Sequence, residues 1–149
     1  MVRAGRFGVD RNAVKFLVDA NVLSEATRAV PDPKVVAWMR RNESDLVVNP
    51  IVLGKIEYGI LLLPAGKRRT RLQHWFEQGI QRMRSLDFDV TAASAWAHLL
   101  ARLRGKGRAM PIKDSLIAAT ALAHRLTVAT RNTSDYRHAG VPLVNPFEV

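Results

Sequence analysis

Three carboxylates stand where the surrounding pattern favours apolar residues. Asp19 closes the run Phe16-Leu17-Val18, which reads as a buried strand. Ligands in an open α/β sheet gather at the carboxyl ends of strands, so an acid there is placed for chemistry, although aspartate is also an ordinary helix N-cap. Glu57 shares a helical stripe with Leu53, Ile60 and Leu61, where a lone carboxylate must be desolvated, protonated or paired unless it lies at the stripe's edge. Asp114 has Ile117, Ala118, Ala121 and Leu122 at helical offsets, and it either faces them or caps a helix beginning at Ser115. A polar cluster, Thr130-Arg131-Asn132-Thr133-Ser134-Asp135, follows a later strand at the same edge. Carboxylates that converge repel one another unless a cation lies between them, and hard divalent ions such as Mg²⁺ take oxygen ligands of this kind. Two such ions about 4 Å apart can activate a water and stabilise the leaving oxygen of a phosphodiester.

The elements that would position these groups alternate. Strands are expected at Phe16–Val18, Leu46–Val48, Leu86–Val90, Leu126–Ala129 and Val141–Val144. Between them the pattern predicts helices over Val22–Arg28, Lys34–Arg41, Pro50 to about Leu63, Lys67–Arg84, Thr91–Leu103 and Ile112–Arg125. Strands alternating with helices argue for a parallel sheet covered on both faces. Residues 1–14 show no clear periodicity and read as a loose extension ahead of one domain over 15–149.

Composition narrows the partners. The 149 residues include 23 Lys+Arg against 13 Asp+Glu, a net charge of +10 that favours a polyanion such as nucleic acid. With 48% hydrophobic residues the chain can bury a core, which argues against global disorder. The absence of cysteine excludes disulfides and thiolate metal sites and fits a reducing compartment, here the cytoplasm. No apolar run approaches the roughly 20 residues of a membrane-spanning helix, so no membrane partner is expected. Lys67, Arg68, Arg69 and Arg71, and again Arg104, Lys106 and Arg108, form the densest basic clusters; they either track a phosphate backbone or are solvated helix ends. Gly66-Lys67 is not a phosphate-binding loop, because the upstream glycine is missing. His74, His98, His124 and His138 are scattered singly, and Trp38, Trp75 and Trp96 sit among apolar helix residues, more suited to packing than to stacking on bases.

Four motifs in order carry a resemblance: Phe16 to Glu25, Lys55 to Ile60, Ile112 to Ala119 and Ala129 to Tyr136, with Val144-Asn145-Pro146 closing the chain. Over residues 15–147 the sequence resembles the PIN-domain ribonucleases, and more closely the VapC toxins of type II toxin–antitoxin systems, near their FitB-like branch. The resemblance implies a three-layer α/β/α PIN fold, a parallel sheet of about five strands in order 3-2-1-4-5, Mg²⁺ or Mn²⁺ dependence, and endonucleolytic cleavage of RNA. It assigns Asp19 and Asp114 to the metal, with Glu57 and Asp135 completing the site or orienting a water that displaces the 3′ oxygen in line. Asn132 stands where many relatives carry an acid and becomes a neutral ligand or orienting group, while Asn21 and Ser24 hydrogen-bond the cluster. A homodimer and a VapB-like antitoxin covering the groove are implied as well, with Ile51, Leu61 and Leu62 as candidate contact surface.

Two features depart from the family pattern: residues 1–14 precede the usual start, and Lys113 adjoins a proposed ligand. Three other readings compete. An aspartyl-phosphate phosphatase would need a second aspartate at position 21, which is asparagine. A PIN domain directed to DNA, or one that binds nucleic acid without cutting it, fits the same motifs.

Overall fold

A computed structural model describes residues 15–149 of the chain; the expected extension over 1–14 lies outside the described residues. The apolar triplet Phe16–Val18 (β1) pairs in parallel with Leu46–Val47 (β2) on one side and Thr127–Ala129 (β3) on the other, and β3 pairs in parallel with Leu143–Val144 (β4). The order is β2-β1-β3-β4, with Leu17 opposite both Val47 and Val128. Leu17 and Val18 point to opposite faces of the sheet, and both are fully buried. Both faces are therefore covered, as a parallel sheet with helical crossovers requires.

The helices are Ala20–Leu23 (α1), Pro33–Arg41 (α2), Pro50–Leu61 (α3), Lys67–Gln78 (α4), Val90–Gly105 (α5), Ile112–His124 (α6) and Thr133–Tyr136 (α7). Most begin on the chemistry that a helix start needs. Asp32 accepts from Lys34 N, Asn49 from Val52 N and Asp89 from Ala92 N, while Pro33 and Pro50 take first-turn positions where no N–H is missed. Asn49 is fully buried, and its amide also donates to Thr120 Oγ1 on α6 at 3.1 Å, so one side chain starts α3 and ties it to α6. Trp96 Nε1 donates to Ser115 Oγ at 2.9 Å and links α5 to α6.

Three expectations are corrected. The strand at Leu86–Val90 is reduced to a single parallel bridge, Val48 with Ser85, beside β2. Asp89 and Val90 are taken up by the start of α5, which leaves too few residues for a ladder. The sheet thus has four strands rather than five, yet the bridge lies where the order 3-2-1-4-5 puts the edge strand. The helix expected over Lys67–Arg84 stops at Gly79, a poor helix former, and Ile80–Arg82 continues as a 3₁₀ turn. The helix expected over Val22–Arg28 is instead the short α1 followed by a 3₁₀ turn over Ser24–Thr27.

The core runs through the sheet and the helix faces against it, from Val22 and Val35 through Val52 to Leu99, Ile117 and Val128. Trp38 belongs to it, 4% exposed, with its ring centroid 4.9 Å from that of Phe16 in an edge-to-face contact. No helix of the described residues is long and apolar enough to cross a membrane.

Candidate active site

β1 delivers Asp19 to the carboxyl edge of the sheet, where its N–H donates to Ala129 O at 2.9 Å. The two readings of this residue coexist. Its Oδ1 accepts from Ala20 N at 2.8 Å, capping α1, and from Lys55 Nζ at 3.0 Å. Its Oδ2 accepts from Thr130 Oγ1 at 2.9 Å, from Tyr136 OH at 3.3 Å and from Asn21 Nδ2 at 3.5 Å. The residue is 1% exposed, so every one of these donors offsets a desolvated charge.

Asp114 is not a cap, because α6 begins at Ile112 and places it within the first turn. Its Oδ1 accepts from Tyr136 OH at 3.3 Å and lies 3.7 Å from Lys55 Nζ. Tyr136 is buried and has one hydroxyl proton, which stands between the two carboxylates. Burial, then the charges of Asp19 and Asp114, push the phenol well above its ordinary range, so it stays a donor. Burial likewise holds the Asp114 carboxyl above the usual carboxylate range; Lys55 opposes this, while the charges of Asp19 and Asp135 add to it.

Of the residues singled out in the sequence, the structure brings Asp19, Asp114 and Asn21 together and leaves others at a distance. Asp135 is exposed on α7, near enough for its charge to act on Asp114. Asn132 is exposed, and its backbone N–H donates to Thr130 Oγ1 at 3.1 Å. Ser24 lines the adjoining groove rather than touching Asp19. Glu57 is exposed and makes no ion pair with Lys55 or any other cation among the described residues. The buried row of α3 is Val52, Ile56 and Ile60, one residue out of phase with the row Leu53-Glu57-Leu61, and one residue on a helix is a rotation of about 100°. α3 instead sends Lys55 to the two acids. Lys55, Thr130 and Tyr136 carried no role in the sequence reading; the available signal was a lysine inside the apolar segment Ile51-Val52-Leu53-Gly54-Lys55-Ile56.

The expected divalent ion can be tested against this donor set. Mg²⁺ holds its oxygens at about 2.1 Å in near-octahedral geometry. Asp19 Oδ1 and Asp114 Oδ1, the oxygens that would share it, both face the Lys55 ammonium. Among the described residues no group of three His, Cys, Asp or Glu side chains could hold a metal ion. The residues as arranged do not fit the ion.

Above Lys55 opens a groove of about 460 Å³, lined by Asn21, Ser24, Lys55, Arg68, Trp75 and Asn132 among others. Arg68, at the start of α4, is the member of its basic cluster on this wall, whereas Lys67 and Arg71 line a separate surface with His74. Arg69 is half-buried. Arg104, Lys106 and Arg108 are exposed at the end of α5 and beyond it, and Arg108 lies 2.8 Å from His138 Nε2. The groove's wall is largely apolar, with Ile56, Ile60, Leu63, Leu72 and Trp75, and its cations Lys55 and Arg68 can receive and orient an anionic backbone. The expected contact residues Leu61, at the end of α3, and Leu62, its C-cap, are exposed together with Tyr58, whereas Ile51 packs against the core.

The chain is 38% identical over 137 residues to VapC ribonuclease Y4jK of Sinorhizobium fredii, covering 89% of this chain and 98% of that protein. It is 36% identical over 136 residues to toxin FitB of Neisseria gonorrhoeae, covering 89% and 98%. A crystal structure of FitAcB from the same organism matches with a TM-score of 0.84 and 35% identity, over 90% of this chain and 99% of that one. The PIN-domain profile matches residues 16–141, from β1 to the turn before β4. With so much of its length accounted for, the chain belongs to the PIN-domain family.

Proposed function

We propose that this chain is the toxin of a two-component toxin–antitoxin pair and an endoribonuclease, hydrolysing RNA phosphodiester bonds. The observation that carries the reading is the buried Asp19–Asp114 pair held by Lys55, which lines a groove together with Arg68. Its closely related proteins include one named as a ribonuclease and one named as a toxin. An antitoxin of the VapB kind and a second copy of the chain are the proposed partners; the solved structures that the chain resembles include FitAcB and FitAB bound to a DNA fragment. The exposed residues Tyr58 and Leu61 of α3 and Leu62 just after it supply apolar surface for such contacts. In the groove, Lys55 and Arg68 meet the phosphate, Asn21 and Thr130 fix the Asp19 carboxylate, and as water adds to phosphorus the P–O3′ bond breaks, the water giving a proton to the acid pair and the leaving 3′ oxygen taking one from solvent. The expected Mg²⁺ or Mn²⁺ has no step here, because the donor set does not fit it.

Cleavage of a structured RNA by the wild-type chain and by Asp19→Asn tests the reading, with and without Mn²⁺. The wild type should cut and Asp19→Asn should be slower by roughly 100-fold or more, the scale of a lost charge-stabilising group. Equal rates in the two overturn the assignment. A second reading, RNA binding without cleavage, is favoured by one observation: Lys55 neutralises part of the acid pair that would do the chemistry. It predicts RNA retained intact in every arm of the same assay.

A further inference from the structure

We propose that the Lys55 ammonium is the resident cation of this site and excludes a divalent metal ion from the Asp19–Asp114 pair. The inference rests on the proposed function only for the expectation that a metal would be sought here. Three observations carry it. The first is position: Nζ stands 3.0 Å from Asp19 Oδ1 and 3.7 Å from Asp114 Oδ1, between the two oxygens an ion would have to share. The second is saturation. A carboxylate offers about four lone-pair sites, and Asp19 already receives Ala20 N, Asn21 Nδ2, Lys55 Nζ, Thr130 Oγ1 and Tyr136 OH, so a metal could bind only by displacing a donor.

The third is anchoring. Lys55 projects from the middle of α3, between the buried Val52 and Ile56, on a helix whose start is pinned by Asn49 and Pro50. Its side chain is 25% exposed, unlike a surface lysine free to swing into water. The remaining acids do not restore the balance toward a dication, since Glu57 faces solvent and Asp135 lies on the exposed rim. The lysine also gives the groove a cation of its own, fixed by the fold and facing the space a phosphate would enter.

Calorimetric and electron-paramagnetic titration of the full chain with Mn²⁺ tests this, on the wild type, Lys55→Gln and Lys55→Glu. The wild type should show no saturable binding in the millimolar range. Lys55→Gln removes the competing charge and Lys55→Glu adds a third carboxylate, so at least one should bind roughly tenfold or more tighter. That gain should vanish when Asp19→Asn is added. Wild-type binding within about threefold of the variants overturns the proposal, and so does a lack of binding by every folded variant. Melting curves identify the folded variants. Should both variants unfold, the wild type decides alone: saturable Mn²⁺ broadening of the Ala20 and Thr130 amide resonances overturns the proposal, and no broadening upholds it. RNA retention in EDTA on the same samples separates this result from the ribonuclease reading. A chain that binds neither RNA nor Mn²⁺ loses the proposed function and keeps the cation assignment, and a chain that binds both does the reverse.

Discussion

Asp19 receives donors from α1, α3, the segment after β3 and α7 on a single carboxylate, which makes it the most heavily satisfied charge in the site. An isolated buried carboxylate would shift its proton or unfold its surroundings, so these donors are a condition of the fold as well as of the chemistry. The same geometry sets the cost of adding an ion. Two unit charges 4 Å apart interact by about 4 kcal/mol at an effective dielectric near 20, and a dication beside the Lys55 ammonium would feel about twice that in repulsion. Tyr136 belongs to this scale too. Tyr136→Phe keeps the ring in the core and removes the proton standing between Asp19 and Asp114, so urea denaturation should show a loss of about 1–2 kcal/mol. A loss below about 0.3 kcal/mol would mean that the hydroxyl does not support the pair.

At the scale of elements, α3 does two jobs that meet in Asn49. The side chain caps the helix through Val52 N and holds it to α6 through Thr120, and α3 and α6 carry Lys55 and Asp114 respectively. Asn49→Ala removes the cap and leaves a buried hydroxyl without this donor. The expected loss is about 2 kcal/mol in chemical denaturation, larger than the ~1 kcal/mol of an exposed cap. Asp32→Ala at the start of α2, whose bond to Lys34 N is exposed, is the comparison. An equal loss in the two would show that the tie to α6 contributes nothing. Helix starts were legible in the sequence because they rest on neighbours: Pro33, Pro50 and Thr91 lie at or within one residue of the observed boundaries. The phase of α3 was not, because Leu53 and Leu61 are as apolar as Val52 and Ile60, and only packing against the sheet selects one row.

For the whole molecule, the net charge is +10, and the fold divides the basic cluster at the start of α4 between two surfaces. Arg68 faces the groove with Lys55, while Arg71 lies on another surface. Affinity for single-stranded RNA against salt should therefore fall in slope by about 0.7 for Arg68→Gln, the value for one phosphate contact, and hardly at all for Arg71→Gln. Equal effects would mean that the charge acts as a diffuse cloud rather than through the groove. The second cluster is partly structural: its neighbour Arg102 donates to the carbonyls of His138 and Ala139, at 3.2 and 2.9 Å, and staples α5 to the turn before β4.

Local order by itself determined the alternation of strands and helices, the parallel sheet and the arrival of Asp19 at a strand end, since each depends on residues adjacent in the chain. The four-motif resemblance led to the same family that the comparisons show. Tertiary structure alone decided which side chain of α3 enters the site. Rotation of a helix about its axis is set by what packs beneath it, and residues two apart, about 200° around the axis, project in nearly opposite directions. Glu57 and Lys55 stand two residues apart, and the burial of Val52, Ile56 and Ile60 turns the lysine inward to Asp19 and Asp114 while the glutamate meets water.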